Sequence, residues 1–102
     1  MLIEYIMRNK TEILSIFEKH GAFNVKLIGS VARKQETENS DIDFVAELKR
    51  NHVNHIDLQA HSDLIQELQN YFDRKIDLAD YDQIQVYYPN ALTQGVLLNS
   101  NK

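Results

Sequence analysis

Asn24-Val25-Lys26-Leu27-Ile28-Gly29-Ser30 and, ten residues further on, Asp41-Ile42-Asp43-Phe44-Val45-Ala46 are the stretches that decide the fold of this chain. The first reads as a strand that stops at a glycine turn, and Val31-Ala32-Arg33-Lys34 continues it as one helical turn. A strand feeding a glycine turn into a helix start presents backbone N–H groups and the positive end of a helix dipole to an anion. Gly29 lets the backbone approach a phosphate closely, and the Ser30 hydroxyl adds a donor. In the second stretch, alternation sends Ile42, Phe44 and Ala46 to the core. Asp41 and Asp43 then share the opposite face, about 6.5 Å apart along the strand. Carboxylates converging in this way are the hard oxygen ligands that Mg²⁺ takes, and paired metal ions are the usual clamp for an in-line phosphoryl displacement. An isolated Asp-x-Asp is as often a solvated strand edge. The glycine turn before it makes a nucleotide site the expectation.

These residues resemble the nucleotidyltransferase superfamily that includes DNA polymerase beta, and most closely its minimal nucleotidyltransferase antitoxins (MNT, MntA type), which pair with HEPN toxins. The superfamily signature is a Gly-Ser pair, a loop, an Asp-x-Asp on one strand and a third acidic residue on a neighbouring strand. The resemblance implies that the third carboxylate is Asp77, in Lys75-Ile76-Asp77-Leu78-Ala79, where alternation separates Ile76 and Leu78 from it. Asp80 and Asp82 compete for that role. Asp77 is favoured because apolar residues flank it as a strand requires, whereas the other two stand where the chain turns. Many relatives carry a glycine directly after the arginine that matches Arg33, and Lys34 occupies that place here.

The resemblance further implies Mg²⁺ held by Asp41, Asp43 and Asp77, with Gly29, Ser30 and Arg33 holding the phosphates of ATP. The activity it implies is transfer of AMP to a tyrosine of a HEPN ribonuclease toxin by an antitoxin. Two other readings stay open: a non-catalytic antitoxin that silences its toxin by occlusion, and a nucleotidyltransferase subunit that serves a small-molecule acceptor.

At 102 residues the chain is expected to form one domain, spanning residues 1–102 and burying about 60–65% of its unfolded surface. That length leaves no acceptor-binding domain, so recognition is expected from a partner protein. With no cysteine there is neither a disulfide framework nor a thiolate metal site, which suits a cytoplasmic protein. The N-terminus has no signal-like pattern and no apolar run approaches the length that spans a membrane. The net charge of −4, from 15 acidic and 11 basic residues, argues against direct binding of DNA or RNA. Lys26, Arg33 and Lys34 can still form a local basic rim for a triphosphate.

The expected architecture is α/β (α+β), a small mixed β-sheet backed by helices, as in the minimal nucleotidyltransferase fold. A first helix is expected from a capping-box-like start at Asn9-Lys10-Thr11-Glu12, with Ile13, Leu14, Ile16 and Phe17 as its apolar face and Gly21 as its stop. It could extend back through Ile6 and Ile3. A second helix is expected from about Asp57 to Phe72, with Leu58, Leu64, Ile65, Leu68 and Phe72 forming a packing stripe. The tail, through Tyr87-Tyr88-Pro89 to Gly95-Val96-Leu97-Leu98, suggests short helical pieces closing one edge. His52 and His55 read as a solvated loop, His61 as a hydrogen-bonded helix residue, and Asp73-Arg74-Lys75 as a solvent-facing connection.

Overall fold

A computed structural model describes residues 1–93 and 95–98. Its sheet grows from the two signature stretches. β1 (Phe23–Ile28) and β2 (Ile42–Glu47) pair antiparallel, with Ile28 opposite Asp43. β3 (Ile76–Asp80) adds to β2 in parallel, and a two-residue β4 (Val96–Leu97) adds antiparallel to the other side of β1. The order is β3-β2-β1-β4, a mixed sheet of four strands.

Parallel pairing of β2 with β3 requires a crossover, and the helix expected near residues 57–72 supplies it. Asp57 caps this helix by accepting the Ala60 N–H at 3.0 Å, and the helix then runs Leu58–Phe72. Leu64 and Leu68 are buried, whereas Leu58, expected in the packing stripe, is 76% exposed. Leu58 occupies the first turn, beyond the edge of the core, so helical spacing alone misplaced it. Asp73 ends the helix in the left-handed region (φ 51°) and returns its N–H to the Gln69 carbonyl. Asp and Asn tolerate that conformation better than most residues.

The first expected helix is two helices. Leu2–Arg8 and Lys10–Lys19 meet at Asn9, whose φ of −107° and ψ of 21° break the helical path. The expected capping box at Asn9 does not form. The Asn9 side chain instead donates backwards to the Tyr5 carbonyl at 2.9 Å, closing the preceding helix. Ile3, Ile6, Ile13, Ile16 and Phe17 from these helices bury against Val25, Leu27, Ile42 and Phe44 of the sheet. The rings of Phe17 and Phe44 meet edge-on at 5.3 Å.

Numbered in chain order, the helices are α1 (Leu2–Arg8), α2 (Lys10–Lys19), α3 (Gly29–Ala32), α4 (Leu58–Phe72), α5 (Tyr81–Tyr87) and α6 (Pro89–Thr93). Two short helical pieces in the tail match the expectation, but its end does not continue them. Val96 and Leu97 pair with Leu27 and Lys26 as β4. Two residues are too few to show a strand period, so the pairing was invisible without its partner. On β2 the alternation holds for Ile42, Phe44 and Ala46, yet Val45 on the opposite face is also fully buried. α5 packs against β2 and β3, so both faces of the sheet are partly covered. Among the described residues, no helix is long and apolar enough to cross a membrane.

Candidate active site

Gly29, Ser30, Asp41, Asp43 and Asp77 gather at one end of the sheet because β1 ends where the parallel pair β2 and β3 begins. Asp43 is the register partner of Ile28 on one side and of Asp77 on the other. Asp41 stands one residue before β2, opposite Lys75, which precedes β3 by one residue. The expectation that Asp41 lies within the strand is therefore off by one position, although its neighbourhood is as expected.

Gly29 opens α3 with φ +74°, and a β-carbon added to it would overlap Oδ2 of Asp43 and stand 2.9 Å from Cγ. Both observations call for glycine. α3 is a single turn of four residues, too short for a substantial helix dipole. The donors it presents are its first-turn amides, which lack intrahelical acceptors, and no side chain caps them.

Electrostatic crowding marks the carboxylates. Burial, then the negative charges of Asp77 and Asp41, and a hydrogen bond that protonated Asp43 donates to the Asp77 carboxylate raise the Asp43 pKa to about 6, with Arg33 opposing them. Arg33 is exposed but close enough for its charge to be felt at Asp43. Asp41 meets the Lys75 ammonium at 3.8 Å. Among the described residues, no three acidic or imidazole side chains form a ready-made metal cage. Lys34 adopts φ +60°, the left-handed conformation that suits the glycine found there in the resembled family.

Asp80 and Asp82, the rivals of Asp77, have other partners. Asp80 is 2% exposed, accepts from the Leu48 N–H at 3.1 Å and from Arg50 Nη2 at 2.7 Å, and caps α5 through the Asp82 N–H. Asp82 is exposed and pairs with the same Arg50 at 3.2 Å. Both lie at the opposite end of the sheet from Asp43, where an open cleft of about 1000 Å³ is lined by Phe23, Glu47, Arg50, Asp80 and Tyr81 among others. His61 binds the Leu78 carbonyl at 3.1 Å and His20 binds Glu67 at 2.8 Å, while His52 and His55 are exposed loop residues. None of the four belongs to the carboxylate cluster.

Residues 5–102 match the family described as polymerase beta, nucleotidyltransferase. The chain belongs to this family. Over 76 residues this nucleotidyltransferase is 34% identical to a predicted protein adenylyltransferase of Methanocaldococcus jannaschii, an overlap of 74% of this chain and 72% of the relative. It superimposes with a TM-score of 0.73 on a chain of a toxin–antitoxin crystal structure with AMP-PNP, at 25% identity, covering 92% of this chain and 75% of the other. It also shares its fold, with a TM-score of 0.64 and 24% identity, with a chain of the complex between the MNT antitoxin and the tri-AMPylated HEPN toxin of Shewanella oneidensis. That match covers 91% of this chain and 71% of the other.

Sequence reasoning missed two neighbours of the cluster, Arg74 and Lys75. Lys75 is exposed, as expected, but it is ion-paired to Asp41. Arg74 is half-buried and donates to the carbonyls of Thr37 and Ser40. A signal existed for Lys75, since alternation along β3 puts it on the face of Asp77, two residues later. Arg74 carried none, because its acceptors are backbone atoms of a loop remote in sequence.

Proposed function

We propose that this nucleotidyltransferase is an antitoxin that transfers AMP from ATP to a tyrosine of a cognate HEPN ribonuclease toxin and so neutralises it. One observation carries the reading: Asp43 and Asp77 stand in register on parallel strands directly beside the Gly29-Ser30 turn. The relative named as a protein adenylyltransferase and the toxin–antitoxin structure with AMP-PNP support it.

The donor set fits a divalent cation by its chemistry. Burial first, and then the charges of Asp77 and Asp41, raise the Asp43 pKa to about 6, and a bound cation would relieve the part that is repulsion among the three carboxylates. Asp41, Asp43 and Asp77 would hold Mg²⁺, which when bound neutralises triphosphate charge and polarises the phosphoryl oxygens. Gly29 and Ser30 bind the phosphates through backbone N–H groups and the Ser30 hydroxyl, and Arg33 adds positive charge. Asp77 takes the proton of the attacking tyrosine hydroxyl as the new O–P bond forms at the α-phosphorus and the bond to pyrophosphate breaks. The protein's contribution is positioning and electrostatic stabilisation. We assign this chemistry to the cytoplasm, where ATP and Mg²⁺ are supplied.

Incubation with ATP, Mg²⁺ and the candidate toxin, followed by intact-mass measurement, tests the reading. The toxin gains the mass of one or more AMP units, and an Asp41→Asn/Asp43→Asn double variant leaves it unmodified and active. Full protection by the double variant with an unmodified toxin would replace the enzymatic reading with occlusion.

A further inference from the structure

The loop that delivers Asp41 is tied down at both of the peptide groups flanking that residue. Arg74 Nη1 donates to Ser40 O at 3.0 Å, on the peptide group before Asp41, and to Thr37 O at 3.1 Å. The Ile42 N–H, on the peptide group after it, donates to Lys75 O at 3.0 Å. Asp41 itself lies outside β2, so no continuous strand ladder fixes its backbone. Residues 74 and 75 do so instead. The turn they hold is closed on itself: the Thr37 N–H donates to Ser40 Oγ at 2.8 Å and the Ser40 N–H returns to Thr37 O at 3.2 Å.

Arg74 is aimed by its own surroundings. The left-handed Asp73 turns the chain at the end of α4, and Gln69 Oε1 accepts the Ile76 N–H at 3.4 Å. The stretch from 74 to 76 is thus stitched to α4 on one side and to the approach to β2 on the other. A planar guanidinium can serve two carbonyls at fixed separation, which a shorter or floppier donor does less well.

We infer that Arg74 is the positioning residue for Asp41, setting where that carboxylate meets the metal-bound triphosphate. The inference rests on the nucleotide-site reading above and adds to it a residue that touches neither nucleotide nor metal. Arg74 acts through the 37–40 turn. Its loss leaves the carboxylate present but unplaced, and lowers affinity for nucleotide and metal together.

The test is a calorimetric titration of the purified protein with ATP in the presence of Mn²⁺, which needs neither toxin nor turnover. Arg74→Ala weakens binding about tenfold, the worth of a hydrogen-bond pair to a backbone turn, while its circular dichroism stays that of the parent. Arg74→Lys, which keeps a donor within reach, recovers part of that loss. In an Asp41→Asn background Arg74→Ala adds nothing, because the two act through one carboxylate. Should Arg74→Ala fail to fold, Arg74→Gln carries the same comparison. Parental affinity in the Arg74 variant, or additive penalties in the double variant, overturns the inference while leaving the site reading intact if Asp41→Asn alone weakens binding. Parental affinity in Asp41→Asn overturns both.

Discussion

Gly29 and Asp43 touch so closely that the α-carbon of one leaves no space for a side chain beside the carboxylate of the other. This contact joins the Gly29-Ser30 turn to the acidic strand, so a side chain at one displaces the other.

Replacing Gly29 by alanine therefore has two costs. The φ of +74° disfavours a β-carbon by about 1–2 kcal/mol, and the new methyl drives the Asp43 carboxylate from its place. We expect Gly29→Ala to melt earlier in thermal denaturation and to lose ATP binding, with Gly29→Val worse in both. Normal nucleotide binding by the valine variant would reduce the turn to a structural role.

The raised pKa of Asp43, about 6 against an ordinary 3.8, makes a signed statement about stability. Between these values the folded protein holds a proton that the unfolded chain has released, so stability falls as pH rises from about 4 to 6. Asp43→Asn removes the repulsive charge and is expected to be more stable than the parent at pH 7 by about 1–2 kcal/mol, after discounting for solvent screening at a half-exposed group. The advantage should vanish near pH 4. Urea melts of metal-free protein at the two pH values measure this, and a variant less stable than the parent at pH 7 contradicts it.

Three acidic residues on or beside β3 separate cleanly by their partners. Asp77→Asn should abolish adenylyl transfer without lowering stability, since it removes a charge that repels Asp43 while the amide oxygen can still accept the Asp43 hydrogen bond. Asp80→Ala leaves Arg50 partnered by Asp82 alone, orphans the Leu48 N–H and uncaps α5. Arg50 keeps Asp82 and reaches solvent, so the cost is chiefly that of the orphaned N–H and the lost cap, about 2–3 kcal/mol. Parallel assays of transfer and of denaturant midpoint decide the assignment. Wild-type transfer in the Asp77 variant, with loss in a folded Asp80 variant, would move the third role to Asp80.

Much of this was legible in the sequence because it depends on local period. Alternation in Ile42–Phe44–Ala46 and in Ile76–Asp77–Leu78 fixed which way the aspartates point, and parallel pairing then brought Asp43 level with Asp77. Asp57 and the apolar spacing after it announced α4. What was hidden depends on a choice between two local partners at Asn9 and otherwise on contacts between distant segments. β4 exists only because β1 offers it an edge, the Asn9 side chain turns back on Tyr5 instead of capping α2, and Arg74 finds backbone carbonyls 34 and 37 positions away. Residue type at one position carries no mark of such partners.

Lys34 offers a final prediction. It holds φ +60° immediately after Arg33, and the Lys34 N–H closes the turn on the Val31 carbonyl at 3.1 Å. A lysine there strains the backbone by about 1–2 kcal/mol, whereas a glycine does not, though glycine makes the unfolded chain freer by about 0.4–1 kcal/mol. The difference leaves Lys34→Gly more stable by roughly 0.5–1 kcal/mol. Lys34 is also one of the cations expected from the sequence to form a basic rim for the triphosphate, so the variant separates two roles. If the residue serves only the turn, Lys34→Gly raises the melting temperature and leaves ATP affinity unchanged; if its ammonium also attracts the triphosphate, affinity falls most at low ionic strength and recovers toward parity at high salt. A lower melting temperature in Lys34→Gly would refute the backbone argument itself.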